Sequence, residues 1–125
     1  MSTEPLLAKA LILDRTEAKM NRTEAAYSAY LLSLLHGGFI RSFDFEPEKF
    51  RLGPDCFYTP DFRIVEVDMS ISFMDTKGTT KKNGKEKPYY RDKSIIKMKL
   101  AAELHPMYRW GMAWKTKGGW DSKIF

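Results

Sequence analysis

Two stretches rich in β-branched and aromatic residues, FYTPDFRIVEV (57–67) and ISFMDTKGTT (71–80), place Asp61, Asp75 and Lys77 among apolar neighbours. Both read as strands directed at a core, where an ionised group without a partner costs several kcal/mol. A fold that uses both strands must therefore balance these three charges. Side chains alternate along a strand, so Asp75 and Lys77 share a face with Ile71 and Phe73. Asp61 lies one strand earlier, with the turn between the strands expected near 66–69, so the two carboxylates are placed to converge. Close carboxylates repel, and one keeps a proton at neutral pH unless a cation sits between them. A hard divalent ion bound by one or two carboxylates, a backbone carbonyl and waters resolves the conflict.

The rest of the chain bounds the setting for such a site. A length of 125 residues with 43% hydrophobic content suits one compact core rather than two. A single cysteine, Cys56, excludes an internal disulfide framework, and with only His36 and His105 no zinc-site spacing exists. Both facts point to a reducing, cytoplasmic setting. The start has no signal-peptide pattern and the apolar runs are too short to span a bilayer, so a soluble protein with no membrane partner is expected.

Periodicity supplies the elements. PLLAKALIL, after Thr3 and Pro5, reads as a short helix capped by Thr3 or as an irregular arm, and residues 1–20 are set apart on that account. Asn21 as N-cap, Glu24 three residues on, and Tyr27, Leu31, Leu34 and Leu35 at helical spacing predict a helix over about 22–36, stopped by Gly37 and Gly38. FIRSFDFE (39–46) reads as a strand with EKFRLG as its pairing partner, followed by strands at about 56–65 and 70–77. TTKKNGKEKPYYRDK reads as a long polar loop. Asp92 is placed to cap a helix from Lys93 to about Leu104 with Ile96, Leu100 and Leu104 on its apolar side, ended by Pro106. YRWGMAW (108–114) alternates as a half-buried strand, with Trp110 and Trp114 as sheet core, and residues 118–125 are left as a tail. The expected fold is α/β, a mixed sheet flanked by helices in the order helix, three to four strands, helix, strand, over residues 21–117.

Charge is concentrated in one segment. Lys77 to Lys99 holds nine basic residues against Glu86 and Asp92, a surplus of +7, which leaves −2 for the remainder of a chain whose net charge is +5. Such a segment is the footprint of a polyanion-binding face, although solvated loops are also lysine-rich.

The pair Pro60-Asp61 followed by Asp75-Thr76-Lys77 resembles the bipartite signature of the PD-(D/E)XK nuclease superfamily. The helix NRTEAAYSAYLLSLL, the PDF strand, DTKG and the late helix KMKLAAELHP are similar to small phage-type endonucleases of that superfamily, relatives of Holliday junction resolvases and restriction enzymes. The resemblance covers roughly residues 20–115. It implies a restriction-endonuclease-like fold and a magnesium-dependent endonuclease, with manganese as a substitute, acting on branched DNA inside a bacterial host cell. Asp61 and Asp75 would be metal ligands, the Thr76 carbonyl a third, and Lys77 would orient or activate the attacking water. Glu24 matches the first-helix acidic residue that many members point toward the metal. Lys97 or Lys99 matches a basic position near the scissile phosphate, and Lys81, Lys82, Lys85, Lys87 and Arg91 would meet the DNA backbone. A core this small leaves little surface for long sequence recognition, which favours a homodimer or structure-selective binding.

Each residue also has a plainer account. Pro60-Asp61 is a common turn opener, Asp75 and Lys77 form an ordinary same-face ion pair, and Asn21-x-x-Glu24 is a capping-box pattern. Tyr89 and Tyr90 suit either base stacking or packing, Cys56 reads as a small buried residue, and neither histidine looks catalytic. The competing function is a non-catalytic module that binds nucleic acid or protein on a nuclease-like scaffold.

Overall fold

The computed structural model describes residues 19–82, 85–88 and 93–125. Its elements are α1 (Arg22–His36), β1 (Ile40–Phe45), β2 (Phe50–Gly53), β3 (Cys56–Tyr58), β4 (Phe62–Glu66), β5 (Ile71–Lys77), β6 (Thr79–Lys82), β7 (Lys85–Pro88), α2 (Lys93–Leu104), β8 (Arg109–Thr116) and β9 (Gly119–Ile124). Five strands form a mixed sheet in the order β1-β4-β5-β8-β9, and β2-β3 and β6-β7 are separate two-stranded hairpins. Among the described strands only the β5–β8 pair is parallel, and α2 makes the crossover that a parallel pair requires. The chain is thus α/β with a mixed sheet and two flanking helices. Among the described residues no helix is long and apolar enough to cross a membrane.

Alternation along the strands feeds two cores. Tyr27 and Leu31 of α1 pack on Ile40, Phe43, Phe62, Ile64, Met74 and Ala113. On the other face Met98 and Ala101 of α2, with Phe50 and Tyr58 of the β2-β3 hairpin, enclose Phe73 and Trp110. Each such large side chain contributes about 1.5–3 kcal/mol by leaving water. The first helix starts where the capping pattern places it: Asn21 Oδ1 accepts from Glu24 N (2.8 Å) and Glu24 Oε1 accepts from Asn21 N (3.0 Å). Gly38, at φ 77°, supplies the left-handed turn after it.

Several sequence expectations are corrected. β2 pairs with β3, not with β1, because Phe50 and Tyr58 lie opposite each other under α2. The strand expected over 56–65 is two strands, separated at Thr59-Pro60-Asp61, where Pro60 is fully buried and has no amide to give a ladder. Within the lysine-rich segment Thr79–Lys82 and Lys85–Pro88 are paired strands, with Lys81 opposite Glu86, and not loop. Helix α2 buries Ile95, Met98 and Ala101 and exposes Ile96, Leu100 and Leu104. Strand β8 is not half-buried: Trp110, Gly111, Met112, Ala113 and Trp114 are all covered, since the sheet has a packed layer on both faces. Residues 118–125 supply an edge strand rather than a tail. Cys56 is half-buried. The N-terminal helix or arm up to residue 18, the Asp92 cap, Tyr89, Tyr90 and Arg91 lie outside the described residues.

Gly111 has the closest neighbours of the described glycines. A Cβ there would meet Lys123 O at 2.5 Å, Ile124 Cδ1 at 2.7 Å and Met74 Sδ at 3.2 Å. Gly111→Ala is therefore expected to cost about 1–3 kcal/mol by overpacking, read as a lower urea midpoint. An unchanged midpoint would show that β9 yields without loss.

Candidate metal and phosphate site

The β4-β5 hairpin brings the two carboxylates together by register. Its last main-chain pair at this end is Phe62 with Met74, so Asp61 and Asp75 are each one residue beyond it. Here side chains replace the ladder. Asp75 Oδ1 accepts from Asp61 N (2.9 Å), and Asp61 Oδ2 accepts from Thr76 N (2.9 Å) and Thr76 Oγ1 (3.2 Å). Each carboxylate holds the other's strand. The second oxygen of Asp75, Oδ2, lies 3.8 Å from Lys77 Nζ, and both side chains are buried, with residue exposures of 3% and 5%. Lys77 Nζ also donates to Ser94 Oγ in the first turn of α2.

These groups line one cavity of about 420 Å³ with Asn21 and Glu24 at the start of α1, Phe57 to Thr59 from β3, and Lys93, Ser94 and Lys97 at the start of α2. Both helices thus turn their N-terminal ends, the positive ends of their dipoles, toward it. Burial is the main force on Asp61. Together with the charge of Asp75, and despite the Thr76 hydrogen bonds that oppose the shift, it pushes the Asp61 pKa from 3.8 up to about 8; Glu24 adds to the rise.

The structure brings Asp61, Asp75, Thr76, Lys77, Glu24 and Lys97 to this cavity. Glu24 has both roles read from the sequence, since it closes the capping box and faces the acidic pair. Of the two late-helix lysines it is Lys97 that lines the cavity, where its Nζ donates to Phe57 O (3.0 Å). Lys99 is elsewhere, 5.6 Å from the Phe125 ring. Thr76, whose carbonyl is the third ligand that the resemblance implies, meets Asp61 through its amide and hydroxyl. The backbone of Lys81, Lys82, Lys85 and Lys87 lies in the β6-β7 hairpin. Ser94 and Lys93 were not singled out from the sequence. Their signal was position, the first turn of the helix that follows a strand ending in Lys77.

Among the described residues no three His, Cys, Asp or Glu side chains enclose an ion by themselves. The donor set present is two carboxylates held together at the end of a hairpin, with a third nearby. That chemistry fits magnesium, which takes one or two carboxylates and keeps several waters. No family model, curated protein or solved structure matches the chain.

The raised Asp61 pKa has a signed consequence for the metal-free protein. From about pH 4 to about pH 8 the folded state keeps a proton that the unfolded state has lost, so the contribution of Asp61 to stability is full below pH 4 and is lost as pH rises to 8. With a chelator present, unfolding free energy should fall by on the order of a few kcal/mol across that window. Asp61→Asn should flatten the profile. A wild-type profile as flat as the variant's would refute the shift.

Proposed function

We propose that the chain is a metal-dependent endonuclease that hydrolyses phosphodiester bonds in DNA. The observation that carries the reading is the convergence of Asp61, Asp75 and Lys77 on one cavity between two helix N-termini. Asp61 and Asp75, with Glu24 lining the same cavity, are the residues that would hold magnesium or manganese. When bound, such an ion supplies Lewis acidity, lowering the pKa of water and screening charge on the phosphate oxygens. Lys77 is held against Asp75 and Ser94, where its ammonium can meet a phosphate oxygen and add positive charge as the transition state forms. Lys93 and Lys97, with the α2 N-terminus, form a phosphate-facing wall.

The finer fold reading, a restriction-endonuclease-like core, draws support from the connectivity: a helix, the antiparallel meander β1-β4-β5, a second helix, and β8 parallel to β5. The DNA reading draws on charge. The lysine-rich segment leaves the site at Lys77 and returns to it at Lys93, so the seven basic residues from Lys77 to Lys93 are tethered beside the cavity at both ends. Branched DNA is the substrate we favour, acted on in the cytoplasm of a bacterial host. The rival, a binding module without catalysis, has one observation behind it: the hydrogen bonds between Asp61, Asp75 and Thr76 also brace the hairpin on their own.

Cleavage of a four-way junction, a flap, single-stranded and linear duplex DNA with magnesium or manganese separates the two. The enzyme should cut the branched substrates, stop with a chelator, and lose roughly 10²–10³-fold or more in rate in Asp61→Asn, Asp75→Asn and Lys77→Met. Metal-independent binding with no cleavage of any substrate would establish the rival. Neutralising Lys81, Lys82, Lys85 and Lys87 together should reduce the salt slope of DNA binding by up to about four ions, roughly 0.9 for each phosphate no longer neutralised. A slope equal to wild type would remove those lysines from the interface.

A further inference from the structure

Strand β9 is an edge of the main sheet and pairs only with β8 among the described strands. Gly111 is opposite Ile124 and Met112 opposite Lys123, which places Phe125 opposite Trp110, and Phe125 N donates to Trp110 O (2.7 Å). In an antiparallel ladder alternate residues exchange main-chain hydrogen bonds with the neighbour and the others face away. Asp121, Lys123 and Phe125 therefore turn their backbone toward β8, while Trp120, Ser122 and Ile124 present N–H and C=O groups to the open edge. The amide of Ser122 bears this out, since it donates to its neighbour's side chain, Asp121 Oδ1 (2.8 Å), and not to the sheet.

We propose that this edge pairs antiparallel with the same edge of a second copy, about a two-fold axis at Ser122. The sequence GWDSKIF is self-complementary under that operation. Ser122 faces the partner's Ser122 and exchanges both main-chain bonds with it. Trp120 and Ile124 make the flanking hydrogen-bonded pairs, each Trp120 covering the partner's Ile124, which is 51% exposed in the single chain. Asp121 and Lys123, both exposed, fall at the non-hydrogen-bonded positions, where Cα atoms are about 4.5 Å apart and side chains are closest. Two reciprocal ion pairs result. A charged edge commonly prevents pairing, but like charges do that; here the signs alternate so that reversal matches each with its opposite. Asp121 exchanges its bond to Ser122 N for the partner's Lys123 as that amide joins the new ladder. The axis is normal to the sheet, so the product is a ten-stranded sheet with both α1 helices on one face and the two cavities at opposite ends.

The inference rests on the sheet and its edge, independent of any catalytic activity, and oligomeric state tests it directly. Sedimentation equilibrium of the full chain should show a concentration-dependent dimer. Asp121→Lys and Lys123→Asp should each weaken it roughly tenfold or more, by turning two attractions into two repulsions. Mixing the two variants should restore wild-type affinity as a heterodimer, and the doubly reversed chain should dimerise alone. Melting curves taken at concentrations low enough for every variant to be monomeric should be unchanged, because both side chains are exposed. A wild type that stays monomeric at the highest attainable concentration overturns the proposal, as do single variants that dimerise like wild type or a mixture that shows no rescue.

Discussion

The mutual grip of Asp61 and Asp75 is the constraint on which the site depends. Main-chain pairing between β4 and β5 stops at Phe62 and Met74, and beyond that point a carboxylate from each strand accepts an amide of the other. Hydrogen bonds from amides to ionised carboxylates are roughly twice as strong as neutral ones, so the grip fixes both strand ends. It also brings two negative charges together in a half-enclosed place. Burial first and the repulsion of Asp75 second raise the Asp61 pKa, against the Thr76 hydrogen bonds that would lower it.

Lys77 shows the same tension from the cationic side. An ammonium buried to 5% exposure is tolerated because Asp75 lies 3.8 Å away and Ser94 Oγ accepts from it. Removing the buried Asp75 takes away the opposite charge, a loss of about 3–5 kcal/mol, so the pair is locked as a unit. Replacing both by apolar residues of similar volume would relieve the desolvation. The chain keeps charges where packing alone would favour none, and a cavity opens in front of them.

Much of this was legible in the sequence because it is local. The α1 boundaries follow from a capping box within four residues, and the alternation in ISFMDTK fixes that Asp75 and Lys77 share a face. What misled was tertiary. Phe50 reads as pairing with the preceding strand, but it is drawn to Tyr58 by the shared apolar layer under α2. Ile96, Leu100 and Leu104 have helical spacing as good as that of Ile95, Met98 and Ala101; close packing against Trp110 and Phe73 selects the face with the small Ala101. The two-sided burial of β8 depends on a second layer that no period-2 pattern reveals. Thr59-Pro60 interrupts FYTPDF where β propensity runs on, and that interruption lets Asp61 turn its amide to Asp75.

The position of the cavity follows from connectivity. A parallel β5–β8 pair obliges the chain to leave the end of β5, cross over through α2 and re-enter at the start of β8. The crossover sets out from the end at which β5 finishes and runs back to the opposite end, so the first turn of α2 comes to rest beside the last residues of β5. That is where Ser94 meets Lys77 and Lys97 meets the β3 carbonyl of Phe57. The antiparallel β4-β5 hairpin brings the start of β4 to the same end, and α1 begins there with Asn21 and Glu24. Two acidic strand ends and two positive helix ends are thereby placed together by topology before any side chain is chosen. The sequence adds Asp61 and Asp75 at the strand ends and Lys93 and Lys97 at the start of α2, and the proposed metal-dependent reading rests on that pairing of charge pattern with chain path.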